Sequence, residues 1–325
     1  MTTRLAATAL MMTRGLGRKT LASVVSRIAD RGGSLDDVLT ANAQSLVRDF
    51  GMSEQSAADL PRAVKEALPL MPQLDQRGVR VLTLDAPEYP QRLIEVLGPD
   101  APAILFVVGN VELLSRRAVG FCGSRKASEK GLRVGRDSAA MLSQQGLNIV
   151  SGYASGVDLE VHRSALEAGG TTAFVLADGI LHFRAKREVA SLLTPSNHVV
   201  VSEFPPRLPW LARNAMQRNA TIIGLSDAMI VIEAGTTGGT FACAESTLKY
   251  KHPLFVAHYA MPADSASGNQ DFLKRGATPL RGNTEGVPNL AKVLESVEQP
   301  RRTRPRTNGE RMLFSAVAVE TASSH

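Results

Sequence analysis

Four short segments of this chain combine glycine, hydroxyl and basic residues in the way that binding an oxyanion requires. Gly123-Ser124-Arg125-Lys126 offers a glycine that lets the main chain approach closely, a hydroxyl donor and a permanent guanidinium suited to bidentate contact. Ser151 to Asp158 reads SGYASGVD; its small residues, Gly152 and Gly156 among them, give a tight turn, and Asp158 is placed to cap the helix carrying His162. Arg218 and Asn219 stand together in MQRNATIIGLS. The last segment, EAGTTGGTFACAE from Glu233 to Glu245, sets Gly235, Gly238 and Gly239 around Thr236 and Thr237, with Thr240 opening a helix. Free amides and the dipole at such an N-terminus attract anions.

Groups for bond-breaking chemistry are scarcer. Asp158 and His162 lie four apart on one helix and are able to meet, yet no nucleophile elbow accompanies them. The plainer reading is a helix cap and a satisfied polar residue under the sheet edge. Glu233 and Glu245 read either as an acid/base pair or as anchors of the glycine loop through backbone amides. Gly-x-Gly-x-x-Gly does not follow the first central strand, and Gly-x-x-x-x-Gly-Lys-Ser/Thr occurs nowhere, which argues against a P-loop hydrolase. Cys122 and Cys243 are too few for a disulfide framework or a zinc site and read as packed thiols. No catalytic residue, cofactor or metal is expected.

The elements that must position these segments alternate along the chain. Short apolar runs at 118–122, 148–150, 172–176, 198–201, 228–232 and 253–257 read as strands, preceded by two more at 79–84 and 103–108. Helix-length segments at 130–145, 159–168, 215–224 and 240–251 lie between them. Continuous apolar strands separated by amphipathic helices imply an α/β fold, with a doubly wound, mostly parallel sheet covered on both faces. Ligands of such sheets bind outside the carboxyl ends of the strands, where the four segments fall. Residues 1–70 differ. Leu21, Val24, Val25 and Ile28 share a helical face, Ser34 reads as an N-cap, and Ser45 and Ser53 open further helices, so a small helical domain precedes the sheet domain of residues 71–298. Gly15-Leu16-Gly17 reads as an ordinary helix–helix turn or as a phosphate-holding hairpin.

Composition bounds the partners. The 325 residues carry a net charge of +6, 44% hydrophobic and 21% charged residues, a folded protein that permits nucleic acid without demanding it. Half of that charge sits in a basic tail at 299–325, where Arg301, Arg302, Arg304, Arg306 and Arg311 oppose Glu310 and Glu320; this tail is expected to be flexible, with a weak apolar patch at 312–319. No apolar run reaches the ~20 residues that span a bilayer, and the first residues lack a secretory layout, so a cytoplasmic protein without membrane attachment is expected.

The run VGFCGSRKAS…VSGYASGVDLEVHRSALEAGGTTAFVLADGI…VSEFPP…QRNATIIGLSDAMIVIEAGTTGGTFACAES resembles the DprA/Smf family of DNA-processing proteins. The lead-in with Tyr89-Pro90, Leu93 and the strand ending at Gly109 is similar as well, which extends the likeness over about residues 8–283. The resemblance implies an extended Rossmann-like sheet domain behind a sterile-alpha-motif-like or helix-hairpin-helix module. It also implies non-enzymatic binding of single-stranded DNA, protection of incoming strands, delivery to a RecA-type recombinase in natural transformation, and homodimerisation. By position it assigns phosphate contacts to Gly123, Ser124 and Arg125, then to Ser151, Gly152, Gly156 and Asp158. Arg218, Asn219, Glu233, Gly235, Thr237, Gly238, Gly239 and Thr240 complete the implied pocket, with Arg184, Lys186 and Arg187 as further backbone contacts.

The chain departs from the family where Ser155 and Ala220 replace arginines, where Thr237-Gly238 replaces a cation and a serine, and where His182-Phe183 replaces Tyr-Pro. Each lost cation removes a phosphate contact and lowers salt dependence. A winged helix, frequent in the family, is not expected after residue 285. Two other readings share the superfamily: a sensor of a small nucleotide signal, as in phage defence, and a phosphoribohydrolase-like enzyme built on the Gly239-Thr240 turn and Glu245. Few rings stand near the proposed edge, Trp210, Phe183 and Phe204 among them, so backbone gripping must dominate if DNA is the ligand.

Overall fold

The computed structural model describes residues 2–299; the tail with its arginines and the 312–319 patch lies outside the described residues. Among the described residues nine strands form one sheet: β1 (Arg80–Thr83), β2 (Ile104–Gly109), β3 (Ala118–Cys122), β4 (Asn148–Ser151), β5 (Thr171–Val175), β6 (His198–Ser202), β7 (Ala228–Val231), β8 (Leu254–Ala257) and β9 (Thr278–Leu280). Their order is β1-β2-β6-β5-β4-β3-β7-β8-β9. From β6 across to β9 every pairing is parallel, whereas β1 pairs β2, and β2 pairs β6, antiparallel. The chain winds outward from β3 through β4 to β6, then returns to place β7 on the other side of β3. That reversal is the switch point at which a parallel sheet opens a crevice.

Thirteen α-helices are found among the described residues. The N-terminal five are α1 (Thr2–Met12), α2 (Arg18–Asp30), α3 (Ala43–Arg48), α4 (Glu54–Ala67) and α5 (Met71–Gln76). In the sheet domain follow α6 (Gln91–Leu97), α7 (Glu129–Gln144), α8 (Val157–Glu167), α9 (Arg187–Ala190), α10 (Ala212–Gly224), α11 (Gly239–Lys249), α12 (Asn269–Lys274) and α13 (Ala291–Glu298).

Strand alternation explains the two layers. Val119 and Phe121 of β3 point into a cluster with Leu142 of α7, Val161 of α8 and Val293 of α13. Ala118 and Cys122 point the other way, toward Ile222 of α10, Ala244 of α11 and Leu93 of α6. Phe121 and Phe174 are wholly buried, each stabilising the sheet by about 1.5–3 kcal/mol. The second cluster continues into the N-terminal helices through Leu10, Val24, Leu60 and Leu74. On α2 the buried residues Leu21, Val24, Val25 and Ile28 follow helical spacing.

Local caps correct one reading and refine another. Ser34 caps a 3-10 helix, Leu35–Leu39, in a capping box with Asp37. Ser45 does not open α3; Asn42 does, its Oδ1 accepting from the Ser45 amide at 2.9 Å. Ser53 caps α4 through the Ser56 amide at 3.1 Å. The strand β9 and the helices α5, α6, α9, α12 and α13 were not anticipated. β9 is three residues long and contains Pro279, which an edge strand tolerates.

The Gly15 turn is tied to α4, while Arg14, Gly15 and Gly17 stay exposed. Ser56 Oγ donates to the Arg14 carbonyl at 2.9 Å, the Arg14 amide donates to Asp59 at 2.8 Å, and Arg62 donates to the Met12 carbonyl at 2.9 Å. Beyond the turn, Arg18 reaches Glu203 at the end of β6 at 3.4 Å. This hairpin joins helix to helix and helix to sheet domain. Among the described residues no helix is long and apolar enough to cross a membrane, and no group of three or more His, Cys, Asp or Glu is placed to hold a metal.

Candidate functional site

A cleft of about 370 Å³ opens at the carboxyl ends of β3, β4 and β7. Ten of the residues singled out from the sequence line it: Gly123, Ser124, Arg125, Asp158, Arg218, Asn219, Gly235, Thr237, Gly239 and Thr240. Cys122, Ala154, Ala215, Ile222 and Ser265 also line it and were not foreseen in that role. Ala215, Arg218, Asn219 and Ile222 are the i, i+3, i+4 and i+7 positions of α10, so one helical stripe forms a wall.

Arg218 is the central group. It is 7% exposed; its Nη1 donates to the Val175 carbonyl at 2.5 Å, and its Nε, wholly buried, has no hydrogen-bond partner among the described residues. Burial pushes its pKa down while Asp158 pulls it up. For Asp158 the balance mirrors this: burial raises the carboxyl, opposed chiefly by Arg218 and by the Ala154 amide. A guanidinium left with an unused donor in a low-dielectric cleft is organised for an anion.

Asp158 is not the N-cap of α8. That position is Gly156, at φ +79°, whose Cβ would collide with the Ser124 and Arg125 carbonyls. The Asp158 carboxylate bends back over the loop instead, accepting from Ser151 Oγ at 3.1 Å and from the Ala154 amide at 3.3 Å. Ser151 is itself buried and lies behind the cleft wall. His162 does not meet Asp158. Its Nε2 bonds the Gly152 carbonyl at 2.7 Å and its Nδ1 meets Thr172 Oγ1 at 2.5 Å. A carbonyl only accepts, so the neutral ring carries its proton on Nε2, and its Nδ1 faces the Thr172 hydroxyl, which also donates to the Ile149 carbonyl at 2.8 Å. Burial depresses the ring's pKa to about 3.

Glu233 anchors a different loop from the one its position suggests. Its carboxylate accepts from Ser128 Oγ at 2.5 Å, the Ser128 amide at 2.8 Å and Ser265 Oγ at 2.6 Å, while its carbonyl accepts from the Ser124 amide at 2.8 Å. The side chain crosses from β7 to the start of α7 and fixes the Gly123–Arg125 segment, without entering the cleft lining. The glycine loop is braced by Asn269, which sequence reasoning missed: its Oδ1 accepts from the Ala234 amide at 2.8 Å and its Nδ2 donates to the Ile232 and Ala257 carbonyls at 2.9 Å. Asn219 closes the ring by donating to the Gly239 carbonyl at 3.1 Å. Gly238 is the N-cap of α11 and sits just outside the lining. Glu245 pairs with Arg275 at 3.3 Å and is half exposed, so it forms no acid/base pair with Glu233.

The segment with Arg184, Lys186 and Arg187 flanks the cleft without lining it. Lys186 Nζ donates to the Tyr153 carbonyl at 2.8 Å and lies 4.6 Å over the Tyr153 ring. Burial lowers its pKa, Asp158 and Glu188 raise it, and Arg125 lowers it, which places its charge within reach of the cleft groups. Arg184 Nη1 is turned onto the Leu181 and Phe183 carbonyls at 3.0 and 2.7 Å, and Arg187 is exposed at the start of α9. Beneath the cleft, contact with Cys243 and burial push the Cys122 thiol well above its ordinary range, as befits packed thiols. Ser155 is exposed at the cleft side and Ala220 is buried on α10.

Residues 80–290 match the family model described as DNA recombination-mediator protein A. The chain is 32% identical to Protein Smf of Escherichia coli over 219 residues, 67% of this chain and 58% of that protein. It is 28% identical to DNA processing protein DprA of Bacillus subtilis over 244 residues, covering 73% of this chain and 80% of the relative. Among solved structures, DprA from Streptococcus pneumoniae superposes with a TM-score of 0.69 at 23% identity, over 83% of this chain and 92% of the other. DprA from Helicobacter pylori, described for its own single-stranded DNA binding mode, superposes at 0.53 with 24% identity over 62% of this chain and 90% of that one. These likenesses carry the fold.

Proposed function

The chain belongs to the family of DNA recombination-mediator protein A, and from that premise we propose that it binds single-stranded DNA in the β3–β4–β7 cleft by its phosphates and performs no chemistry on it. The observation that carries this reading is Arg218, buried at the cleft, whose guanidinium makes among the described residues only the one hydrogen bond from Nη1 to the Val175 carbonyl. The lining adds Arg125, Ser124, Asn219, Thr237, Thr240 and main-chain glycines, and Lys186 stands beside them. In this reading the protein acts in the cytoplasm as a homodimer, protects strands taken up in natural transformation and hands them to a RecA-type recombinase.

Binding of a dT strand, an equal-length duplex and a mononucleotide, each at two salt concentrations, tests it. The strand should bind most tightly and weaken steeply with salt. Tighter duplex binding, or a flat salt response, overturns the reading. Ser155 and Ala220, standing in place of cations, favour a second reading in which the ligand is a small nucleotide. Preference for the mononucleotide over the strand would select it.

A further inference from the structure

The anion reading uses Arg125 and leaves the ring beside it idle. The Arg125 guanidinium lies 5.3 Å from the centroid of Trp210, in the connection between β6 and α10. Among the described residues Arg125 has no hydrogen bond or ion pair, so all its donors remain available. Trp210 is 49% exposed, although a large apolar ring on the surface forfeits burial energy. Other rings near this edge are engaged. Phe204 is buried, and Phe183 packs on Tyr153 and Phe174 at 5.4 and 5.8 Å.

Resting on the strand reading above, we propose that Trp210, held by Arg125, is a stacking platform for one unpaired nucleobase adjacent to the phosphate that Arg125 grips. A cation over an indole face is attracted by its quadrupole and holds the ring in place before a ligand arrives. When a strand enters, the guanidinium donors turn to a phosphate oxygen while the free indole face receives a base. A nucleotide joins phosphate and base through a single sugar, so one nucleotide spans a guanidinium and a ring this close together. The contact reads no sequence, because every base presents a π face. It does separate strand from duplex, since paired bases have their faces covered by their neighbours. Preference for single strands then has a source besides charge.

Trp210 is the only tryptophan of the chain, so its emission reports the platform directly. The full-length protein is titrated with a dT strand and with an abasic strand of the same length and charge, following Trp210 emission and, for variants, anisotropy of a labelled strand. The dT strand should quench the emission and bind about tenfold more tightly than the abasic one, the size of one base–aromatic stack. Trp210→Ala, at an exposed position, should bind both strands at the abasic affinity, and Trp210→Phe should keep most of the preference. Equal binding of the two strands by the unaltered protein, or a preference that survives Trp210→Ala, overturns the platform and leaves the strand reading standing. Failure of both strands to bind removes the two readings together.

Discussion

Gly152 has no side chain where Arg218 needs the space: a Cβ at that position would overlap the guanidinium nitrogens of Arg218 and the Oδ2 of Asp158. The buried cation and carboxylate therefore rest on bare backbone at the end of β4. The same glycine's carbonyl is held from behind by His162. Gly152, Asp158, His162 and Arg218 thus set one another's positions.

From this contact, Gly152→Ala should displace Arg218 and cut strand binding about as far as Arg218→Ala does. Forcing a methyl into a packed site should also cost about 1–3 kcal/mol of stability. Calorimetric titration with a dT strand and a thermal melt measure the two effects. Normal affinity in Gly152→Ala would mean that the Arg218 position does not matter to the ligand.

Arg125→Ala should weaken strand binding by about 1.5–3 kcal/mol, the range of a charge-assisted hydrogen bond. It should lower the salt slope by about one, and leave the melting temperature nearly unchanged, because Arg125 has no hydrogen-bonded partner among the described residues. Arg187→Ala, at an exposed flank, should cost much less, its charge being screened. A salt series on both variants decides. Equal losses would move the binding surface out of the cleft.

Strand β3 was legible to the residue, because an uninterrupted apolar run is what a two-faced buried strand requires. The glycine loops were legible for a similar reason, since close approach and helix starts leave local signals. Cross-chain bracing was not. Asn269 reaches the glycine loop from α12, and Ser265 lines the cleft from the segment before it; neither sits in a motif. Glu233 lies next to the glycine loop in sequence, yet the strand direction carries its side chain to Ser128. Asn42 and Ser45 are both competent caps, and only packing chooses between them.

The N-terminal helices are fastened to the sheet domain by a buried carboxylate. Glu203 is 5% exposed and accepts from Arg18 at 3.4 Å, from Gln217 at 2.7 Å and from Thr221 Oγ1. Arg18→Met should leave that charge with two neutral donors and cost about 3 kcal/mol, the lower end for breaking a buried pair. Strand affinity should hold, since neither residue lines the cleft. Denaturant melts of Arg18→Met and of Arg18→Met with Glu203→Gln test this. The double variant should recover stability, and a double variant no better than the single would place the cost elsewhere.

Acid should loosen the fold through its buried histidines. Burial holds His162 down to about 3 and His252 down to about 4, whereas in the unfolded chain both protonate near their ordinary 6.5. Between these limits the unfolded state binds more protons than the native one, so stability rises with pH and falls as pH drops below about 6.5. Each histidine contributes at most about 1.4 kcal/mol per pH unit across that window. Asp158 acts in the opposite sense, because burial raises its native pKa and lets the folded state take a proton before the unfolded one. Denaturation midpoints at successive pH values from 7 down to 5 should therefore decline. His162→Gln keeps a donor and an acceptor between Gly152 and Thr172 but cannot titrate. It should begin less stable at pH 7 and then decline more gently than the unaltered protein. An equally steep decline would show that His162 does not carry the pH dependence.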